Sequence, residues 1–191
     1  MAWLSATQLS TMGFASIGEN VLISDKASIY NPQNISIGNN VRIDDFCIIS
    51  AGHGGVSIGN YVHVAAYSSL IGSGKISLSD YSGLSSRVSI YSSNDDYTGD
   101  KMTNPTVPPK YTGVISADVF IGKHVIIGSG SIILPGISLN DGSVIAALSL
   151  VNKDCEPFKI YGGVPAKPLK ERKKNLLDLE VQFLEDKKNK T

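Results

Sequence analysis

The sequence contains few of the side chains that build a metal site or a disulfide framework. Its 191 residues include only 3 histidines and 2 cysteines, and these are not spaced as zinc ligands are. Cys47 and Cys155 lie far apart in the sequence, and we expect both to be buried free thiols in a reducing compartment. We therefore expect neither a disulfide nor a bound metal.

Net charge of either sign is also missing. The 17 Lys and Arg residues balance the 17 Asp and Glu residues, so no overall field attracts nucleic acid or an anionic membrane. No apolar run reaches the length of a transmembrane helix, and the N-terminus lacks the basic and apolar regions of a signal peptide. These absences predict a cytoplasmic protein without a nucleic-acid partner or a membrane span.

Aromatic residues make up only 7% of the chain, whereas aliphatic residues recur every six positions along most of it. A helix has a period of about 3.6 residues and a strand a period of about 2, so neither explains this spacing. A solenoid does, since each short repeat supplies one inward side chain and relies on its neighbours for burial. The longest registers are Ile17, Ile23, Ile29 and Ile35; Ile58, Val64, Leu70 and Ile76; and Ile121, Ile127, Ile133, Leu139, Ile145 and Val151. The spacing therefore predicts an all-β solenoid.

The later repeats carry short motifs that resemble those of a known family. The run starts at Ile121-Gly122, passes through Pro135-Gly136 and ends at Gly162-Gly163-Val164-Pro165-Ala166-Lys167. Together with the spacing, which covers about residues 17 to 170, it resembles the hexapeptide-repeat acyltransferases. This resemblance implies a left-handed parallel β-helix with three hexads in each coil. The hand comes from the resemblance alone, because general rules favour right-handed crossovers.

Breaks in the spacing divide the chain into segments. Residues 1–14 are predicted to form an N-terminal cap, with a helix over residues 3–12 that covers the open first coil. The β-helix is predicted over residues 15–166, interrupted by an aperiodic excursion loop at residues 91–118. Excursions of this length are usually functional or disordered. Residues 167–191 are predicted to form a C-terminal segment with a helix over residues 169–185.

Acyl transfer to a hydroxyl or an amine needs a base, and histidine is the usual one because its ordinary pKa is close to the working pH. His53 lies in a glycine-rich stretch where nine residues separate two registers instead of six, which predicts a bulge. The alternative is an exposed turn histidine without a role. His63 precedes the core residue Val64, and its alternative is a wall histidine bonded to a neighbouring coil. We expect His124 to lie exposed in a turn.

The two earlier histidines resemble a pattern in the sugar-nucleotide N-acetyltransferases of the bacillosamine and sialic-acid pathways. This resemblance implies that His53 is the general base and that His63 supports it near the thioester. The acceptor is then expected to attack the thioester directly, without a covalent acyl-enzyme. Backbone N–H groups would stabilise the developing oxyanion.

The start of the excursion loop is rich in polar side chains. In the maltose and galactoside O-acetyltransferases the base histidine stands here, but this chain has Ser93-Asn94-Asp95-Asp96-Tyr97 instead. We predict that Asn94, Asp95, Asp96 and Tyr97 bind sugar hydroxyls or an acceptor ammonium group. The alternative is an Asx-rich turn that only opens the loop.

The resemblance to the acyltransferases also implies an acetyl-CoA site in a groove between the subunits of a homotrimer. Small residues there allow the pantetheine arm to approach the backbone, and the matching positions are Gly128, Ala146 and Ala147. Basic residues contact the 3′-phosphate, and the candidates are Lys153, Lys167 and Arg172.

The sequence therefore predicts a cytoplasmic, acetyl-CoA-dependent acetyltransferase. Its expected acceptor is an amino or hydroxyl group of a sugar or sugar nucleotide in surface polysaccharide biosynthesis. The alternative from another class is a non-catalytic β-helix or a zinc-dependent hydratase. Such hydratases need several histidines that converge on zinc across a subunit interface, and His53 and His63 alone, with no His-x₄-His spacing, argue against that alternative.

Overall fold

Short parallel strands stack into three flat faces around one aliphatic core in the computed structural model, which describes residues 2–189. The ends of the predicted terminal segments, residues 1 and 190–191, lie outside the described residues. The first face contains β1 (Ser16–Ile17), β4 (Ile35–Ile37), β7 (Val56–Ile58), β10 (Ile76–Leu78), β15 (Val119–Ile121) and β18 (Ser138–Leu139).

The second and third faces complete each coil. The second face contains β2 (Leu22–Ile23), β5 (Arg42–Ile43), β8 (His63–Val64), β11 (Gly83–Leu84), β16 (Ile126–Ile127), β19 (Val144–Ile145), β21 (Lys159–Gly162) and β22 (Lys167–Glu171). The third face contains β3 (Ser28–Tyr30), β6 (Ile48–Ala51), β9 (Ser69–Gly72), β12 (Ser89–Tyr91), β17 (Ile132–Ile133) and β20 (Leu150–Val151). The chain therefore winds through about seven coils.

The core consists of the aliphatic side chains that the six-residue spacing selects. Ile121, Ile127, Ile133 and Leu139 each have 0% exposure, and Ile145 has 1%. Residues on either side of each core position point outward, as the pleat of a strand requires. The parallel β-solenoid and its core are thus confirmed, and the left hand of the coil remains an expectation that rests on the family resemblance.

Each end of the solenoid is covered, although not quite as the sequence predicts. Helix α1 (Ala6–Thr11) is shorter than predicted and has a capping box between Ser5 and Gln8. Helix α2 (Leu176–Lys188) begins seven positions later than predicted. Residues 167–171 are not helical because β22 pairs antiparallel with β21, so it covers the edge of the last coil. No helix within residues 2–189 has both the length and the apolar character needed to cross a bilayer.

The predicted excursion loop leaves the solenoid at Ser92 and returns at Ala117, whose N–H donates to the Ser92 carbonyl (3.0 Å). Its base is a two-stranded antiparallel ladder of β13 (Ser93–Asn94) and β14 (Ile115–Ser116). A short 3-10 helix lies within the loop at Pro109–Tyr111, and another lies between β3 and β4 at Pro32–Asn34. The loop is therefore an ordered lobe that projects from one corner of the solenoid.

Candidate functional site

His63 lies on the second face and is held by a carboxylate from the preceding coil. Its Nε2 lies 2.9 Å from Oδ2 of Asp44. The other oxygen of Asp44, Oδ1, accepts a hydrogen bond from Nε of Arg42 (2.7 Å). The register of β5, β8 and β11 produces this arrangement, because it places Arg42, His63 and Gly83 side by side on the outside of the face.

Asp44 sits at the corner that follows β5, and its side chain is only 8% exposed. Burial alone would raise the pKa of its carboxyl group, but the hydrogen bonds from Arg42 and His63 outweigh this cost and lower the pKa. Asp44 is therefore ionised at neutral pH and can only accept hydrogen bonds. It fixes a proton on Nε2 of His63, so Nδ1 is the nitrogen available to accept a proton.

A cleft of about 340 Å³ opens beside the His63 ring. Its lining combines hydroxyl groups with aliphatic side chains and consists of His63, Ala65, Gly83, Leu84, Ser85, Ser86, Ile126 and Ser129. The His63 side chain is 49% exposed, so a molecule in the cleft reaches the ring. Ser85, which sequence reasoning missed, lies at the corner directly after β11.

Four of the predicted or lining residues form one column along a corner of the solenoid, which we call the corner column: Ala65, Ser85, Gly128 and Ala146. Each N–H of the column donates to a carbonyl of the next coil, at 3.0, 2.9, 2.8 and 2.8 Å in that order. A Cβ at Gly128 would lie 2.4 Å from the backbone nitrogen of Ala147, so only glycine fits this close approach. The structure thus brings Gly128, Ala146 and Ala147 together near the cleft.

The three predicted phosphate ligands have different surroundings. Lys153 follows β20 and Lys167 opens β22, and both are exposed. The Nη1 of Arg172, in contrast, donates to the carbonyls of His124 (2.7 Å) and Gly142 (3.0 Å). Burial lowers the pKa of this guanidinium. Arg172 therefore holds the segment that leads into α2, and Lys153 and Lys167 are the freer candidates.

His53 lies in the predicted bulge after β6, at the corner between the third and first faces. The bulge stacks on the next coil through Gly52, whose N–H donates to Gly72 O (3.0 Å), and Gly54, whose N–H donates to Ser73 O (2.9 Å). The His53 ring is exposed, and no hydrogen bond to it is found in the described part of the chain. His53 and His63 thus lie on different sides of the solenoid.

The polar residues at the start of the excursion loop are partly engaged with one another. Oδ1 of Asp96 accepts from the hydroxyl (2.7 Å) and the N–H (2.9 Å) of Thr98, and Oδ2 accepts from Lys101 N–H (2.8 Å). These bonds, led by the Thr98 hydroxyl, lower the pKa of Asp96. Asp96 therefore shapes the loop, as the Asx-turn alternative proposes.

Asp95 borders two cavities, whereas Asp96 borders the first of them. Asp95 lines a cavity of about 340 Å³ together with Asn94, Tyr97, Leu134 and Pro135. It also lines a second cavity of about 480 Å³ inside the loop, which is bounded by Asn104, Pro105, Val107, Pro109, Thr112, Gly113 and Val114. Asp95 is thus the acidic residue that both cavities share.

The expectation that His124 is an exposed turn residue is wrong. Its side chain is only 14% exposed, and its Nε2 lies 2.7 Å from Oε2 of Glu180 in α2. The ring also stacks on Tyr81, with 4.9 Å between ring centroids and 10° between the planes. The physical reason is that α2 packs back against this corner. The pattern of the repeats does not predict this packing.

The two cysteines are buried and free, as predicted. Burial raises the pKa of the Cys155 thiol to about 12, so it is not a nucleophile. Among residues 2–189, no group of three or more His, Cys, Asp or Glu side chains is arranged to hold a metal ion.

Sequence reasoning missed Arg42, Asp44, Ser85 and Glu180. The first three could have been found by aligning each coil with the next one, because side chains that meet between adjacent coils are about one coil apart in sequence. His63 and Asp44 are separated by 19 positions, and Asn60 and Asp80 by 20. Glu180 had no such signal, since it lies 56 positions from His124 in a segment without repeats.

Comparisons with known proteins identify relatives of nearly the whole chain. No family model matches the sequence. The chain is 61% identical over 183 residues to the dTDP-4-amino-4,6-dideoxy-D-glucose acyltransferase of Escherichia coli, which covers 96% of this chain and 95% of that protein. It is also 29% identical over 156 residues to a putative lipopolysaccharide biosynthesis O-acetyl transferase of Escherichia coli K12, covering 78% of this chain and 74% of that protein.

Solved structures give the same result. The chain matches AntD, an N-acyltransferase from Bacillus cereus in complex with dTDP and 3-hydroxybutyryl-CoA, with a TM-score of 0.93 and 45% identity over 97% of this chain and 98% of that one. A serine variant of AntD in complex with dTDP-4-amino-4,6-dideoxyglucose and coenzyme A matches with a TM-score of 0.92, at the same identity and the same coverage. The chain therefore belongs to the hexapeptide-repeat acyltransferases, and within them to the acyl-CoA-dependent sugar-nucleotide acyltransferases.

Proposed function

We propose that this protein transfers a short acyl group from acyl-CoA to the 4-amino group of dTDP-4-amino-4,6-dideoxyglucose. The observation that carries this proposal is the similarity over nearly the whole chain to an acyltransferase named for that sugar nucleotide. The complexes of AntD with the same sugar nucleotide and with an acyl-CoA support it independently.

His63 is the proton acceptor in the proposed reaction. The amine attacks the thioester carbonyl, its proton passes to Nδ1 of His63, and the coenzyme A thiolate leaves. Asp44 holds Nε2 and stabilises the imidazolium that forms, as an orienting carboxylate does in other His-dependent enzymes. The base role that the family resemblance implies for His53 stays a prediction. His63 is the stronger candidate, because Asp44 orients its ring and no such partner of His53 is found within residues 2–189.

The coenzyme is proposed to lie along the corner column. Gly128, Ala146 and Ala147 let the pantetheine arm approach the backbone, and the column leads to the cleft beside His63. Lys153 and Lys167 are the proposed contacts for the 3′-phosphate, each as a point charge. The thioester then lies at the end of the column where the reacting histidine stands.

The sugar nucleotide is proposed to occupy the cavities of the excursion loop, with Asp95 facing the acceptor amino group and Asn94 and Tyr97 beside it. AntD structures exist with one serine replaced and with one aspartate, ten positions later, replaced. Ser85 and Asp95 have this spacing here. Ser86 and Asp96 have it too, but both oxygens of Asp96 are already bonded within the loop.

The active form is proposed to be a homotrimer in the cytoplasm. Several apolar side chains on the faces of the solenoid are exposed, including Ile48 (39%), Ile126 (43%) and Ile132 (39%). Such positions are consistent with a partner subunit against the cleft, as in the family that the sequence resembles. Size-exclusion chromatography with light scattering measures this directly, and a monomer that is fully active would contradict it.

The test of function is thiol release from acetyl-CoA with two matched acceptors. One is dTDP-4-amino-4,6-dideoxyglucose, and the other is dTDP-6-deoxyglucose, which has a hydroxyl group at the same carbon. We expect turnover with the amine alone and an N-acylated product by mass spectrometry. Turnover with the hydroxyl sugar would indicate O-acylation instead. Stoichiometric zinc in the purified protein, without turnover of either acceptor, would favour the hydratase alternative.

A further inference from the structure

One row of outward-facing side chains on the second face has a gap in it. The row follows the strand register from Arg42 through His63, Gly83 and Ile126 to Val144. Every member except Gly83 has a side chain. Gly83 therefore leaves an open notch between the His63 ring and the Ile126 side chain, at the floor of the cleft beside His63.

The backbone does not require glycine at this position. Gly83 is not among the residues with a positive φ, and a Cβ built on it meets no atom within 4 Å. Gly128 in the corner column is the opposite case, since its Cβ would contact the neighbouring backbone at 2.4 Å. A β-branched residue would suit strand β11 better than glycine does. We therefore attribute the glycine at position 83 to the open space that it leaves on the outside of the strand.

The notch has the dimensions of a short acyl chain. Adjacent strands lie about 4.8 Å apart, so one missing side chain opens a slot about as wide as a single alkyl chain. The exposed Ile126 side chain gives the slot an apolar wall, and Ser85 of the corner column lies at its end. A thioester that arrives along the corner column would direct its acyl group into this slot.

We propose that Gly83 determines which acyl groups the enzyme accepts, and that the notch admits acyl chains longer than acetyl. This inference rests on the proposed function, because it takes acyl-CoA to lie along the corner column. The selectivity is attributed to a missing side chain. Filling the notch should therefore reduce transfer of the longer acyl groups more than transfer of acetyl.

The test compares acetyl-, propionyl- and butyryl-CoA with the wild type, Gly83→Ala and Gly83→Val. The wild type should use all three donors. Because one methylene group in a fitted pocket changes kcat/KM about 10–200-fold, Gly83→Val should lower the butyryl-to-acetyl ratio of kcat/KM at least about 10-fold, with Gly83→Ala in between. Val144→Ile is the matched control, since it enlarges the same row outside the cleft and should leave the ratio unchanged.

Binding of the same three donors, measured by calorimetry without acceptor, separates the two proposals. Weaker binding of butyryl-CoA to Gly83→Val, with acetyl-CoA binding retained, supports the notch even if the acceptor has been misassigned. Equal losses of binding for all three donors, or no loss for any of them, would overturn the proposed role of Gly83. The proposed function would still be tested by the turnover of the wild type. Thermal melting should show both Gly83 variants folded, because the added side chains enter open space.

Discussion

Two histidine–carboxylate pairs in this molecule have nearly the same geometry and opposite surroundings. His63 and Asp44 are 2.9 Å apart, and His124 and Glu180 are 2.7 Å apart. The His63 side chain is 49% exposed and faces a cleft, whereas the His124 side chain is 14% exposed and is covered by α2. The pair itself therefore does not indicate chemistry, and access to the second ring nitrogen is what distinguishes a reactive site from a structural contact.

The carboxylates differ in what they hold. Asp44 is fixed within the solenoid, next to Arg42, and orients a ring that points outward. Glu180 belongs to α2 and reaches back to the solenoid, where it also contacts Nζ of Lys123 at 2.5 Å. The first pair joins two neighbouring coils of a rigid scaffold. The second joins a terminal helix to that scaffold, so we expect its loss to affect stability and not turnover.

The largest effect is expected from His63→Ala. If Nδ1 accepts the proton of the amine, its removal should lower kcat by roughly 10²–10⁴. The melting temperature should change little, because the ring is half exposed and lies outside the core. Thiol release from acetyl-CoA with dTDP-4-amino-4,6-dideoxyglucose measures the rate.

His124→Ala and His53→Ala are the controls for this variant. His124→Ala should retain the rate and lower the melting temperature, which would sharpen the contrast between the two pairs. A rate that is unchanged in His63→Ala and lost in His53→Ala would place the base in the glycine-rich bulge. Equal activity in all three variants would mean that no histidine accepts the proton.

Asp44→Asn should have the next largest effect. Asparagine keeps one acceptor oxygen but cannot serve both Arg42 and His63, and it does not stabilise the imidazolium. Carboxylates that orient metal-bound histidines typically contribute about 10–100-fold in activity, and we expect a loss of similar size here. We expect kcat to fall while KM for acetyl-CoA stays constant, because Asp44 is behind the ring and does not reach the cleft. A rise in KM with unchanged kcat would show that Asp44 positions the coenzyme instead.

The sequence predicts the solenoid well because each coil has the same burial problem. Ile127 and Ile133, for example, each fill the interior at equivalent positions of the repeat. The spacing alone therefore identifies the core and the bulge at His53. The orienting contact to His63 was not predicted, because its partner lies one coil away and not within the same turn. Ladders such as Asn39 to Asn60 repeat at this offset, so reading the sequence in steps of one coil would have paired Asp44 with His63.

The C-terminal contacts could not be predicted in this way. The chain after Lys167 has no repeat to align. The helical pattern over residues 169–185 did not indicate that a strand, β22, precedes the helix. The position of α2 is set by tertiary contacts, including Phe183 against the Tyr61 and Tyr81 rings (centroid distances 5.3 and 6.4 Å). Because α2 docks here, the His124 side chain is only 14% exposed, which reverses the prediction for that residue.

A smaller effect, on stability alone, is expected from Glu180→Gln. The substitution removes the charge that attracts Lys123 and His124, and part of this interaction is screened because Lys123 is 40% exposed. We expect a loss of about 1 kcal/mol in the free energy of unfolding. For a chain of this size, that corresponds to a melting temperature about 2–4 °C lower.

Glu185→Gln is the matched control for Glu180→Gln, since Glu185 is an exposed glutamate of the same helix. It should leave the melting temperature unchanged, and acyl transfer should be unaffected in both variants. An equal decrease in both would show that general charge on α2, and not the contact with His124, stabilises the helix. A loss of activity in Glu180→Gln alone would break the distinction between the two pairs.

The smallest effect is the pH dependence of this same contact. Burial alone would raise the pKa of Glu180, but the hydrogen bonds from Lys123 and His124 outweigh it and hold the pKa below the ordinary value of 4.5. A carboxyl group whose pKa is lowered by folding stabilises the protein above its unfolded pKa, and this contribution is lost as the pH falls through the folded pKa. The difference in melting temperature between the wild type and Glu180→Gln should therefore shrink as the pH falls below about 4.5. A difference that persists unchanged in acid would mean that the carboxylate charge does not hold α2 in place, and the contrast with the Asp44 pair would then rest on exposure alone.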